Sequence, residues 1–179
     1  MENTERITKV SRRFRLICTG LIFCLPLLGA LFWMFFNQLY VLAGPMIALP
    51  VRLDHDLTAK TRFFAFLVDL LPLCVTLYGL TRLKNLFRLY EEGAIFTEAT
   101  VNCFRSLGRA LIAWVVCDVV SNTLLSIVLT MGNPPGRRMI TVSLNSGEFA
   151  GLFVGAVVLI ISWVMDEARK MQEEQALII

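Results

Sequence analysis

The sequence predicts an all-α membrane protein: four transmembrane helices in a bundle, a helical hairpin on the cytoplasmic side and a small extracytoplasmic β-ribbon. Three observations carry this. Apolar stretches of spanning length run over Leu16–Phe36, Phe63–Thr81, Ala110–Thr130 and Phe149–Met165, and a bilayer core needs about 20 apolar residues per helix. Only helices and closed barrels satisfy their own backbones in lipid. With 56% hydrophobic and 17% charged residues, the 179-residue chain is a single membrane domain, residues 1–179, with little soluble mass. Lys and Arg also alternate between connections: five before the first span, five between the second and third and two in the tail, against three and two in the other connections. The positive-inside rule then places both termini in the cytoplasm.

The first span is expected to be an uncleaved anchor. Its apolar run exceeds the ~7–15 residues of a signal-peptide core, and no small-residue cleavage pattern follows. The preceding arm spaces Ile7, Val10, Phe14 and Ile17 at helical intervals among basic residues. It reads as a basic flank that happens to be helical, ahead of the alternative of an interfacial helix on anionic lipid. Pro26 in span one and Pro72 in span two are expected to kink their helices.

No charge appears from Leu16 to Val51, and Gly44-Pro45 and Pro50 break helical continuity, so Leu39–Val51 is expected to be extended or interfacial. Asp54-His55-Asp56 reads as a solvated loop, because adjacent side chains rarely converge on a metal. After span two, Leu83, Leu86, Phe87 and Tyr90 form a helical stripe that carries the helix into the cytoplasm. Gly93 is its stop and Thr97 the next N-cap, with Glu98 at the positive end of the dipole. Phe96 and Val101 are placed for a hydrophobic staple.

Asp69 and Asp118 are the formally charged residues inside the predicted spans, and a carboxylate at depth is by default a functional hypothesis. Asp118 falls near the midplane, with Asp69 and Asn122 about four residues, roughly 6 Å, further out. Polar glue between helices is the preferred reading, with a proton or cation relay as the alternative. Beyond span three, Gly132-Asn133-Pro134-Pro135-Gly136 is a turn by chemistry, and Met139–Leu144 alternates like a strand. Pairing with Met46–Leu53 would give the outer ribbon. In span four Gly147, Gly151 and Gly155 form a small-residue stripe for close helix packing, within the bundle or against a second copy, the former preferred. The tail Asp166–Ile179 is expected to extend this helix and pack on the hairpin.

Cys18, Cys24, Cys74, Cys103 and Cys117 show neither C-x-x-C nor His/Cys spacing, so no disulfide framework and no metal site are indicated. No nucleophile elbow, P-loop or dinucleotide fingerprint appears. The chain is therefore not expected to be an enzyme, to hold a cofactor or to bind nucleic acid directly.

The run Gly93-Ala-Ile-Phe96-Thr97-Glu98-Ala-Thr-Val101, with Arg105-Ser-Leu107-Gly108 and the closing Asp166–Gln175 helix, resembles the bacterial domain-of-unknown-function 2975 family of small four-helix membrane proteins. The chain departs from that pattern at Ala168, Ala176 and Ile178. The resemblance implies a multi-pass protein of the bacterial inner membrane with no established enzymatic activity, and an association with small regulators. The expected role is regulatory or protein-binding, through exposed hairpin charges such as Arg88, Glu91 and Glu92, with the lipid bilayer and a cytoplasmic protein as partners and a homo-oligomer open. The alternative is a small transporter or ion-conducting oligomer using Asp69 and Asp118.

Overall fold

A computed structural model describes residues 2–43, 49–51, 56–94, 97–132, 138–142, 144 and 146–177. Five helices form in chain order: α1 (Glu2–Met34), α2 (Phe36–Ala43), α3 (Ala59–Glu91), α4 (Glu98–Thr130) and α5 (Ser146–Leu177). All but α2 are long and apolar enough to cross a membrane by length and composition. The chain is a multi-pass membrane protein of four spans on that criterion. α1 and α3 continue through Pro26 and Pro72 without ending.

The local chemistry of the ends follows the sequence closely. Thr58 caps α3 and Thr97 caps α4, each hydroxyl accepting from the amide three residues on, at 3.4 Å. At the far end of α3 the amides of Gly93 and Ala94 return to the carbonyls of Tyr90 and Leu89 at 3.2 and 2.9 Å. Gly93 makes this reversal at φ +77°, a conformation that L side chains resist. Thr100, fully buried, then donates from its hydroxyl to the Ala94 carbonyl at 2.7 Å, stitching α4 to the turn. Phe96 of the expected staple lies outside the described residues.

The long helices pack antiparallel in chain order, α1 on α3, α3 on α4 and α4 on α5, and no other pair of them packs along its length among the described residues. Closing a bundle would put α1 against α5; here the row is open. α4 sits inside it and carries the most buried positions. The apolar side chains left outward, such as Phe23, Leu42, Phe153 and Trp163, suit a lipid surround.

One end of the row gathers the amino-terminal arm, the α3–α4 turn and the α5 tail, and is termed the basic end. Here the arm docks on α3: Phe14 stacks on Phe87 at 5.2 Å between ring centroids, and Arg15 pairs with Glu91 at 3.3 Å. The arm is the first part of α1, as the basic-flank reading requires. Arg105 reaches Asp166 at 3.7 Å, which joins α4 to the base of the tail.

The opposite end holds the main apolar core: Trp33, Phe36, Leu57, Ala65, Leu125 and Leu129. Leu39–Ala43, expected to be extended, is instead helical. Nothing before Gly44-Pro45 breaks the helix, and Phe36 anchors α2 by stacking between Trp33 and Tyr40 at 5.1 and 5.7 Å. Asn37 clamps the approach to α3 by donating to the Leu57 carbonyl and accepting from its amide, at 3.1 and 3.2 Å.

The expected ribbon is not found: no strand occurs among the described residues. Residues 46–48 and 52–53 of Met46–Leu53 and the Asp54-His55 pair lie outside those residues, but Met139–Val142 is described and is irregular. Its backbone is satisfied by α4 side chains. The Thr130 hydroxyl bonds the carbonyl and amide of Met139 at 3.3 and 3.4 Å, and the Ser126 hydroxyl accepts from the Thr141 amide at 3.1 Å. A backbone group needs a partner, not a strand.

Candidate functional site

Polar side chains inside the row collect in its half away from the basic end. α3 and α4 are antiparallel, so Asp69 and Asp118 approach from opposite directions. Asp69 and Asn122, read from the sequence as lying at the same depth, do not bond each other. Asp69 Oδ2 accepts from the indole Nε1 of Trp33 on α1 at 3.2 Å, while Asn122 Nδ2 donates to Asp118 Oδ2 one turn back on α4 at 2.9 Å. In this half a polar link between α3 and α4 is made by Ser121, buried, whose hydroxyl donates to the Val68 carbonyl at 3.3 Å. Each such bond within a membrane is worth about 0.6 kcal/mol on average.

Sequence reading missed a third carboxylate. Glu148 precedes the apolar run of span four, yet α5 begins at Ser146 and leaves Glu148 only 4% exposed. Asp118 lies within electrostatic reach of both Glu148 and Asp69. Three successive long helices thus each bring one carboxyl to a shared region. Among the described residues no three His, Cys, Asp or Glu side chains converge closely enough to hold a metal. The signal that could have found Glu148 is its place one turn before Gly151, on the glycine stripe that faces α4.

That stripe works through two of its three members. A Cβ on Gly151 would come within 2.8 Å of Val115, and one on Gly155 within 3.0 Å of Ile112 and 3.3 Å of the Gly108 carbonyl oxygen. Gly147 has nothing within 4 Å. The reciprocal small residue is Gly108 on α4, where a Cβ would meet Leu159 at 2.7 Å and the Gly155 carbonyl oxygen at 3.1 Å. Two backbones therefore approach through facing glycines, and these place α5, with Glu148 at its start, against α4.

At the basic end the three hairpin charges separate in role. Arg88 and Glu92 are exposed and pair with each other along α3 at 3.0 Å. Glu91 is not exposed as expected: its side chain is 16% accessible and tied to Arg15, because the α1 arm covers that face of α3. In the tail, Asp166 accepts from Arg169 at 3.1 Å, and this hydrogen bond, with Lys170 and Arg105 nearby, holds its carboxyl below the usual range.

No curated protein and no solved structure matches this chain. The family described as Protein of unknown function (DUF2975) matches residues 52–179. That span takes in α3, α4 and α5, hence Asp69, Asp118, Glu148, the facing glycines and the whole hairpin, and leaves out Trp33 and Arg15 on α1. On a match over most of its length, the chain belongs to the DUF2975 family of proteins of unknown function.

Proposed function

We propose that the chain is a non-enzymatic regulatory component of a bacterial inner membrane that binds a protein partner through its basic end, turned to the cytoplasm. One observation carries this reading. All four long helices run past their apolar spans at that end, α1 from Glu2, α3 to Glu91, α4 from Glu98 and α5 to Leu177. The overhangs are ten to fourteen residues, about 15–21 Å at the helical rise. Connections between bundle helices commonly need only about 2–8 residues. The overhangs are held to one another by the Phe14–Phe87 stack and the Arg15–Glu91 and Arg105–Asp166 pairs, which makes a fixed platform with Arg88 and Glu92 exposed on it.

The test is a charge swap, Arg88→Glu with Glu92→Lys, which keeps an opposite-charge pair along α3 while inverting what a partner meets. Crosslinking in cells through a photoreactive residue at Asn102 should recover a partner from the wild type and lose most of it in the swap, with membrane insertion unchanged. Equal recovery from both would reject the platform as a docking surface.

The carboxyl group of Asp69, Asp118 and Glu148 supports a second reading, a small proton- or cation-conducting protein. Asp118→Asn separates the two. An amide can still hydrogen-bond Asn122 but cannot exchange a proton, so full cellular function in a stably folded Asp118→Asn protein removes the conducting role for that residue.

A further inference from the structure

The basic residues nearest the membrane do more than alternate along the sequence. Two adjoining clefts open on one face of α3 at the basic end. The first, about 490 Å³, lies between α1 and α3 and is lined by Arg15, Leu16, Thr19, Lys84, Asn85 and Arg88. The second, about 360 Å³, lies between α3 and α4, shares Asn85 and Arg88, and adds Arg82. From the first cleft we infer a built site for the phosphodiester headgroup of an anionic phospholipid, with Lys84 as its principal cation.

Depth is the first argument. Arg15 directly precedes the first apolar span, and Arg82 and Lys84 follow the second by one and three residues. At 1.5 Å per residue they lie within about 5 Å of the span ends, inside the roughly 5–8 Å headgroup layer of each leaflet. Arg88 stands about 10 Å out, at the layer's outer edge.

Charge is the second. Two carboxylates border this region, and each is already engaged: Glu91 by Arg15 at 3.3 Å and Glu92 by Arg88 at 3.0 Å. Among the described residues Lys84 has no ion-pair partner, whereas Arg82, on the second cleft, is engaged by Tyr78, lying over its ring at 5.0 Å and hydrogen-bonding its hydroxyl. One cation, Lys84, thus remains in surplus in the first cleft, where the exposed Asn85 can also donate to a phosphate oxygen. Basic residues that only fix orientation need no common focus, whereas Arg15 from α1 and Lys84 and Arg88 from α3 line one cleft.

The third argument is the wall. Leu16, 64% exposed, stands on the membrane side of the first cleft. A headgroup seated there would lay its acyl chains against the outward apolar flank of α1, which continues with Ile17 and Leu21. A soluble phosphate would gain nothing from that flank.

The full chain in mild detergent, mixed with equal amounts of phosphatidylglycerol and phosphatidylcholine, should retain phosphatidylglycerol preferentially in native mass spectra. Lys84→Gln should lower that retention about fivefold, the equivalent of roughly 1 kcal/mol per cation at a membrane surface. Lys60→Gln, at the opposite end, should behave as wild type. Asn85→Leu fills the shared wall without removing a charge and should also lower retention, which keeps the test intact if a charge variant misfolds. Equal retention of the two lipids, wild-type retention in the folded Lys84 and Asn85 variants, an equal loss in Lys60→Gln, or displacement of the lipid by an equimolar amount of inorganic phosphate would each overturn the site.

Discussion

Replacing Gly108 by Ala tests whether facing glycines set the α4–α5 approach. The added Cβ would sit 2.7 and 2.8 Å from Leu159 Cγ and Cδ2 and 3.1 Å from the Gly155 carbonyl oxygen. Leu159 can rotate away at some cost, but the Gly155 oxygen is backbone and moves only if α5 moves. Overpacking of this kind costs about 1–3 kcal/mol. Against it stands the gain in helix propensity on replacing Gly, up to about 1 kcal/mol. The net expectation is a destabilisation of about 0.5–2 kcal/mol, or roughly 2–6 °C in midpoint for a chain of this size. Gly147→Ala is the matched control, since it has nothing within 4 Å and receives only the favourable contribution. The chain carries its own reporters: Cys18 and Cys103 are free and buried, while Cys24 and Cys74 are free and exposed. Thermal unfolding in detergent with a thiol-reactive dye should show an immediate reaction and then a transition from the buried pair. A Gly108→Ala midpoint equal to or above that of Gly147→Ala would refute the close-approach argument.

Two other outcomes follow from geometry. Ser126→Ala removes a fully buried hydroxyl that donates to the Thr123 carbonyl at 2.7 Å and accepts from the Thr141 amide; it should cost about 1–2 kcal/mol and speed hydrogen exchange at the Thr141 amide, and unchanged exchange there would mean the loop is held otherwise. Asp166 has a folded-state pKa below its usual 3.8, mainly through the Arg169 hydrogen bond. Its contribution is therefore complete above that value and lost as pH falls through the depressed one, so Asp166→Asn should weaken the tail at neutral pH and lose its difference from wild type in strong acid, as read by proteolysis of the tail across pH.

Much of the molecule was legible in sequence because its causes are local. Apolar runs of spanning length form helices wherever the chain goes, since lipid leaves the backbone no other partner. Gly93 and Thr97 punctuate helices through bonds that reach three or four residues, and the structure places each in that role. The alternating basic residues mark one end of the row for the same reason.

What failed was what depends on neighbours far along the chain. Met139–Val142 alternates like a strand, but Thr130 and Ser126 supply the partners that a second strand would have given. Of the extended or interfacial alternatives for Leu39–Val51, the extended one fails over Leu39–Ala43, whose helix depends on stacking against Trp33 and on Asn37 reaching Leu57. Glu91 looked exposed on its own helix until the α1 arm covered it.

The sequence by itself determined that there are four spans, where they start and stop, and which end is basic, because these follow from hydropathy, capping and charge along one strand of chain. Only the tertiary structure decided that the row stays open between α1 and α5, that Asp69 bonds Trp33 and not Asn122, and that Glu148 joins the two aspartates. Those outcomes depend on the rotation and axial offset of each helix against the next. Facing glycines and a few hydroxyls fix that register, and a one-residue shift would turn each side chain about 100° away from its present partner.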